Sequence, residues 1–211
     1  MSINGSRHLF FPLLPPRCGQ RRSLRRVIMI PTMMLPELRN LIGKRIMCIT
    51  RKSDESPEVI AIKWNMTLMD VFKFTIGPVY IAFEGGGCLK VWSSSPLASV
   101  ECEMADFHSC SQEDEWLLSA TDRKYGNKDI AAMCGQIVKK VTIMQRRESN
   151  AKLARLPRQA AIVFRIGDTS ELVLSHGLHD DSDDFSVITW QDVPERLRSD
   201  LCPITSLATS Y

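Results

Sequence analysis

Between residues 36 and 202 the chain runs in short apolar stretches separated by glycine, proline and acidic turns. Residues 36–43 predict one helical turn, with Pro36 near its start, Gly43 at its end, and Leu38, Leu41 and Ile42 on one face. Residues 44–50 predict a strand and 51–57 a polar turn. The β-branched run 59–64 reads as a second strand, as does 71–76, which stops at Gly77-Pro78. Strands at 79–83 and 88–92 flank Gly85-Gly86-Gly87. Glycine supplies the positive φ that a tight hairpin needs, so this is a hairpin signal. Residues 100–104 alternate and close the unit.

The pattern changes at Ala105. Ser111 followed by Glu113 and Asp114 reads as a helix start leading into Trp116-Leu117-Leu118. A turn at 122–128 and a short helix at 129–133 lead to Gly135. A second strand series follows: 136–144, a long basic loop at 146–158, a hairpin of 160–166 and 171–175 around Gly167, an acidic loop at 179–184, and a strand at 185–190. Residues 194–201 predict a short helix, and the polar tail beyond Cys202-Pro203 is expected to fray.

The two strand series match. Gly43, Ile46 and Ile49 correspond to Gly135, Val138 and Val141, and both copies carry a short helix before the glycine. Ile81-x-Phe83 corresponds to Ile162-x-Phe164, and Leu89-x-Val91 to Leu172-x-Leu174. The offset is 92 residues at the glycine and 81 to 83 at the hairpin, which implies an insertion in the first copy over roughly residues 59–76. The expected fold class is α+β: antiparallel β with a few short helices, built from two copies of a helix–strand–hairpin–strand unit, with an internal pseudo-twofold as one arrangement. The expected organisation is a disordered basic leader (1–32), a first repeat unit (33–104), a helical connector (105–134), a second repeat unit (135–202) and a flexible tail (203–211).

Charge sharpens this division. The formal charge is +3, yet residues 1–30 hold six arginines and no acid. Without those six, 21 of the 27 basic residues face 24 acids, so the remainder carries −3. A mildly acidic body has no electrostatic footprint for nucleic acid. The leader reads as an upstream extension with translation starting at Met29, Met33 or Met34; a basic arm and a transit peptide are the competing readings. The seven cysteines are odd in number and show no C-x-x-C spacing, which argues against a disulfide framework or a zinc ribbon and for reduced thiols in the cytoplasm. No run is long enough to span a bilayer.

The densest polar cluster is His176, His179, Asp180, Asp181, Asp183 and Asp184. Its oxygen donors lack the EF-hand spacing, so a solvated acidic loop is expected rather than a metal site. Within it His179, Asp180, Asp181, Asp183 and Asp184 are the candidate surface for a basic protein partner. Arg146, Arg147, Arg155 and Arg158, with Lys152, form a basic loop, expected to be solvated; it is also the candidate grip for a phosphate or an acidic partner or, with the leader, for nucleic acid. Ser93-Ser94-Ser95 has no G-x-S-x-G context. Cys102 lies between Glu101 and Glu103, whose charge raises a thiol pKa instead of activating it. His108 beside Cys110 is a weak pair. Trp64, Trp92, Trp116 and Trp190 are expected to pack the core.

No set of nucleophile, base and orienting group emerges, which favours a binding protein over an enzyme and implies no cofactor. The succession of glycine, strand, F-x-x-G and L-x-V is similar to that of small cytosolic α+β immunity proteins. That resemblance implies a non-enzymatic protein-binding module. The alternative is an enzyme or small-ligand protein with its site between the two copies: a polar pocket at that seam would favour it, and a packed seam the binding module.

Overall fold

The computed structural model describes residues 29–75, 77–106, 116–147, 150–178 and 185–208. Ten strands form two antiparallel five-stranded sheets. The first sheet holds β1 (Ile46–Ser53), β2 (Val79–Phe83), β3 (Cys88–Ser94), β4 (Ser99–Ala105) and β5 (Trp116–Ser119), in the order β4-β3-β2-β1-β5. The second holds β6 (Val138–Arg146), β7 (Ala161–Ile166), β8 (Ser170–His176), β9 (Phe185–Thr189) and β10 (Leu201–Ala208), in the order β10-β6-β7-β8-β9. Each is a four-stranded meander with a fifth strand added beside its first. Five short helices complete the described fold: α1 (Leu35–Arg39), α2 (Pro57–Lys63), α3 (Leu68–Phe74), α4 (Lys128–Ala131) and α5 (Glu195–Arg198).

The two halves repeat the same register. α1 and α4 precede Gly43 and Gly135, and both glycines sit at φ +85°. A shift in pairing interrupts β1 between Ile46 and Cys48 and β6 between Val138 and Lys140, again 92 residues apart. The halves meet in reciprocal backbone bonds. Gly43 N–H donates to Val138 O at 2.8 Å and Gly135 N–H to Ile46 O at 2.7 Å. Ile46 N–H donates to Gln136 O and Val138 N–H to Lys44 O, both at 2.9 Å. Between them Arg45 bridges Ile137, the residue at its own matching position.

Side chains alternate across each strand, so one face of each sheet enters a common apolar cluster. Ile49, Ile81, Leu89 and Val91 enter from the first sheet; Val141, Ile162, Phe164 and Leu172 enter from the second. All eight are fully buried. The far face of the second sheet presents Val163, Val173 and Ile188 to Val193 and to Leu197 of α5, forming a second cluster.

Five segments depart from the sequence reading. The run 59–64 is helix, not strand: Ser56 caps it, accepting from Val59 N–H at 3.3 Å, Pro57 occupies its first turn, and Pro57, Ile60 and Ala61 form its buried side. Of the run 71–76, residues 71–74 are likewise the second half of α3, with Val71 and Phe72 buried, and Ile76 lies outside the described residues. Trp116-Leu117-Leu118 extends the first sheet at β1 instead of starting a helix, since Leu118 pairs with Arg51 and is buried. Residues 203–208 of the expected frayed tail belong to β10, which pairs with β6 from Leu201 to Ala208; Pro203 is accommodated where the pairing shifts register, and residues 209–211 lie outside the described residues. Residues 29–32, placed in the leader by the sequence reading, are tied to the body. Met29 O accepts from Cys102 N–H at 2.9 Å, and Thr32 N–H donates to Gln159 Oε1 at 2.9 Å.

Candidate functional site

The inserted helices α2 and α3 lie between β1 and β2, where the second half has only the connection from β6 to β7. They enclose a cleft of about 780 Å³ with the C-terminal end of β1. Its apolar walls are Ile60, Trp64, Met66 and Phe74. Ser53 and Thr75, both buried, lie at its base, with Thr75 Oγ1 donating to Ser53 Oγ at 3.4 Å. Charged groups ring the opening. Lys63 Nζ meets Glu55 Oε1 and Oε2 at 3.0 and 3.1 Å, and Lys73 Nζ lies 3.6 Å from Asp192. Asp70 accepts from Thr67 Oγ1 at 2.6 Å, and Asp54 is exposed.

Above the cleft the helical hairpin is apolar. Ile62 is 82% exposed, and Val59, Trp64 and Met69 are each about half exposed. Trp116 of β5, also half exposed, pairs in register with Ser53 and so stands at the margin of the same surface.

Two sets of polar contacts fix the insertion. The first is Arg51, wholly buried in β1. Its Nη1 donates to the carbonyls of Phe72 (2.9 Å) and Lys73 (2.6 Å) in the last turn of α3, its Nε to Gly77 O (3.2 Å), and its Nη2 to Phe185 O (2.7 Å) at the start of β9. A cation at a helix C-terminus satisfies carbonyls that have no intrahelical partner and complements the helix dipole. Gly77 is required beside it, since an added Cβ would stand 1.8 Å from Lys52 O. The second is Glu58, in the first turn of α2, which accepts from Lys124 Nζ at 2.7 Å and from Tyr125 Oη. These two bonds, that from Lys124 the stronger, hold the Glu58 carboxyl down at about 2. The Lys124 ammonium is raised by the same contact.

A separate polar pair spans the two halves. Ser93 Oγ and His176 Nδ1 are 2.6 Å apart. Ser93 pairs with Val100 across β3–β4 and His176 with Phe185 across β8–β9, so the two hold matching positions in the repeat. The imidazole is buried and Ser93 half buried. A hydroxyl at this distance from an imidazole has the reach of a nucleophile and its base.

Of the residues singled out in the sequence, His179, Asp180, Asp181, Asp183 and Asp184 lie outside the described residues, as do His108 and Cys110. The basic loop is partly folded in on itself. Arg146 donates to Gly177 O, Arg158 Nη1 donates to Arg146 O at 2.8 Å, and Arg147 N–H donates to Asp200 O, whereas Arg155 is exposed. Gly85, Gly86 and Gly87 form the β2–β3 turn, all at positive φ. Burial, with the charges of Glu37, Glu101 and Glu103, pushes the Cys102 thiol up to about 12. Trp64 and Trp116 are surface residues, contrary to the expected core role. The exposed face of α2 was hidden by reading 59–64 as a strand; the signal that finds it is the cap Ser56-Pro57-Glu58.

No protein-family model, curated protein or solved structure matches the chain. Among the described residues no helix is long and apolar enough to cross a membrane.

Proposed function

We propose that this chain is a non-enzymatic protein-binding module, of the kind small immunity proteins represent, and that its contact surface is the α2–α3 insertion. The observation that carries the reading is the cluster of large apolar side chains left to solvent on one short helical hairpin, led by Ile62 at 82% exposure. Isolated exposed apolar residues are ordinary, but several on one element beside a cleft are characteristic of interaction surfaces. The seam between the sheets supports the same reading, being filled by fully buried side chains from both halves.

Affinity capture of the tagged protein from its native cells, followed by mass spectrometry, tests this. Wild type is expected to retain a stoichiometric partner that Ile62→Glu and Trp64→Ala lose while their melting temperatures stay unchanged. Equal recovery of that partner with all three proteins removes the insertion from the interface.

The 2.6 Å contact between Ser93 and His176 favours a second reading, acyl transfer with Ser93 as nucleophile and His176 as its base. A fluorophosphonate probe reports on it directly. Labelling of wild type that is abolished in Ser93→Ala supports it, and unlabelled wild type eliminates it.

A further inference from the structure

We propose that the cleft beside α2 and α3 receives a basic amphipathic helix of a partner protein; this rests on the protein-binding reading above and names the chemistry of the partner. Three observations converge on it. First, shape: at about 780 Å³ the cleft can take a few anchoring side chains, and Ile60, Trp64, Met66 and Phe74 give them an apolar lining. Second, continuity: Trp64, at the end of α2, lines the cleft and is itself about half exposed, so apolar surface runs from the cleft out to solvent as a strip. An amphipathic helix laid into a groove uses such a strip through anchors spaced three and four residues apart.

Third, charge. The cleft is lined by four carboxylates (Asp54, Glu55, Asp70 and Asp192) and by two ammonium groups, those of Lys63 and Lys73. Both ammonium groups are already engaged, Lys63 by Glu55 and Lys73 by Asp192. The remaining carboxylates, Asp54 and Asp70, have no cation paired with them among the described residues. The rim therefore carries two uncompensated negative charges beside the apolar walls. Lysine or arginine flanking the apolar stripe of the incoming helix would meet them, while a helix with acidic flanks would be repelled.

The insertion is also rigid where it needs to be. Arg51 clamps the end of α3 from below and Glu58 ties the start of α2 to Lys124 and Tyr125, so the groove is formed before a partner arrives. Neither anchor uses an exposed apolar side chain, which leaves the strip free.

The test uses the full chain and two fluorescein-labelled model helices of about 18 residues, long enough to be helical. One has a leucine stripe flanked by lysine, the other the same stripe flanked by glutamate. Fluorescence anisotropy is expected to show saturable, salt-weakened binding of the lysine helix and at least tenfold weaker binding of the glutamate helix. Trp64→Ala should weaken the lysine helix at least tenfold. The double substitution Asp54→Asn, Asp70→Asn should weaken it roughly fivefold, the scale of two exposed charge pairs. In the reversed variant Asp54→Lys, Asp70→Lys, preference should swing toward the glutamate helix, a gain that misfolding cannot mimic. Equal binding of the two helices, failure of the lysine helix to bind, or indifference to the Asp54 and Asp70 changes overturns the basic-helix inference. Those results leave the broader protein-binding reading to the capture experiment, where loss of a partner on Ile62→Glu is read independently of charge.

Discussion

Arg51 Nη2 donates to the carbonyl oxygen of Phe185 at 2.7 Å, and the same guanidinium lies 4.9 Å from the centre of the Phe185 ring. One side chain of the first sheet thus holds the opening of β9 in the second sheet while its other nitrogens hold α3. Burying a guanidinium is costly unless its donors are satisfied, and here each nitrogen faces a backbone carbonyl. Removing it strands those carbonyls. Arg51→Met is expected to destabilise the protein by about 3 kcal/mol or more. Arg51→Lys should recover only part of that loss, because one ammonium cannot reproduce the fork. Urea unfolding of the two variants measures both; a loss below about 1 kcal/mol in Arg51→Met would show that the clamp is dispensable.

Glycines that look alike in the sequence should respond differently to alanine. At Gly43 and Gly135 a Cβ meets nothing within 4 Å, so the cost is the left-handed backbone alone, about 1–2 kcal/mol. The two values should agree, as their matching positions require. At Gly77 the new Cβ would meet Lys52 O at 1.8 Å, and backbone must move beside the Arg51 clamp. Gly77→Ala should therefore cost clearly more than either. Thermal melts of the three variants give the ranking, and Gly77→Ala as mild as the others would contradict the close approach.

The repeat was legible because its marks are local: a positive-φ glycine, a short helix before it and a strand after it. The register was not. Matching Ile81-x-Phe83 to Ile162-x-Phe164 placed the first strands of the hairpins 81 residues apart, while matching Leu89-x-Val91 to Leu172-x-Leu174 placed the second strands 83 apart. The pairing instead sets Ile81 opposite Ile49, and Phe164 opposite the corresponding Val141, an offset of 83. A slip of two residues keeps every side chain on the same face, so alternation cannot detect it. α2 was lost for a different reason. Val59, Ile60 and Ile62 are β-branched and favour strands, but the cap at Ser56 and burial of Ile60 and Ala61 override a weak local preference. The cleft disappeared with it, since its walls belong to the misread helices. β10 was missed because Thr205 and Ser206 are polar; what holds them is the open edge of β6, a partner no local window contains.

The tie between Glu58 and Lys124 gives the insertion a defined acid sensitivity. The Glu58 carboxyl is lowered from 4.5 to about 2 by the bonds from Lys124 and Tyr125. A carboxyl depressed in the folded state stabilises it fully above its unfolded value, and the contribution disappears as pH falls from about 4.5 to about 2. Glu58→Gln should remove that part of the pH dependence and leave behaviour near neutrality little altered, because the pair is exposed and screened. Carboxyl NMR titration of Glu58 checks the midpoint, and an ordinary value near 4.5 would mean that the contact does not persist in solution.

Thiol chemistry offers an independent check on the core. Cys102 lies fully buried on β4, opposite Val91, and its thiol is pushed up to about 12, chiefly by burial and further by the charges of Glu37, Glu101 and Glu103. A thiol held so far above neutrality forms almost no thiolate, and thiolate is the reactive species. In the native protein at pH 8, Cys102 should resist iodoacetamide and react only through unfolding, so its alkylation should accelerate with denaturant in step with loss of the fold. Cys202, half buried on β10 with Sγ near Gln145 O, should react without global unfolding, since its thiol is already partly exposed. Mass-spectrometric mapping of alkylated sites over time separates the two. Modification of Cys102 as rapid as that of Cys202 in native buffer would mean that β4 opens locally, and that the packing of Val91 against Cys102 does not close this end of the core.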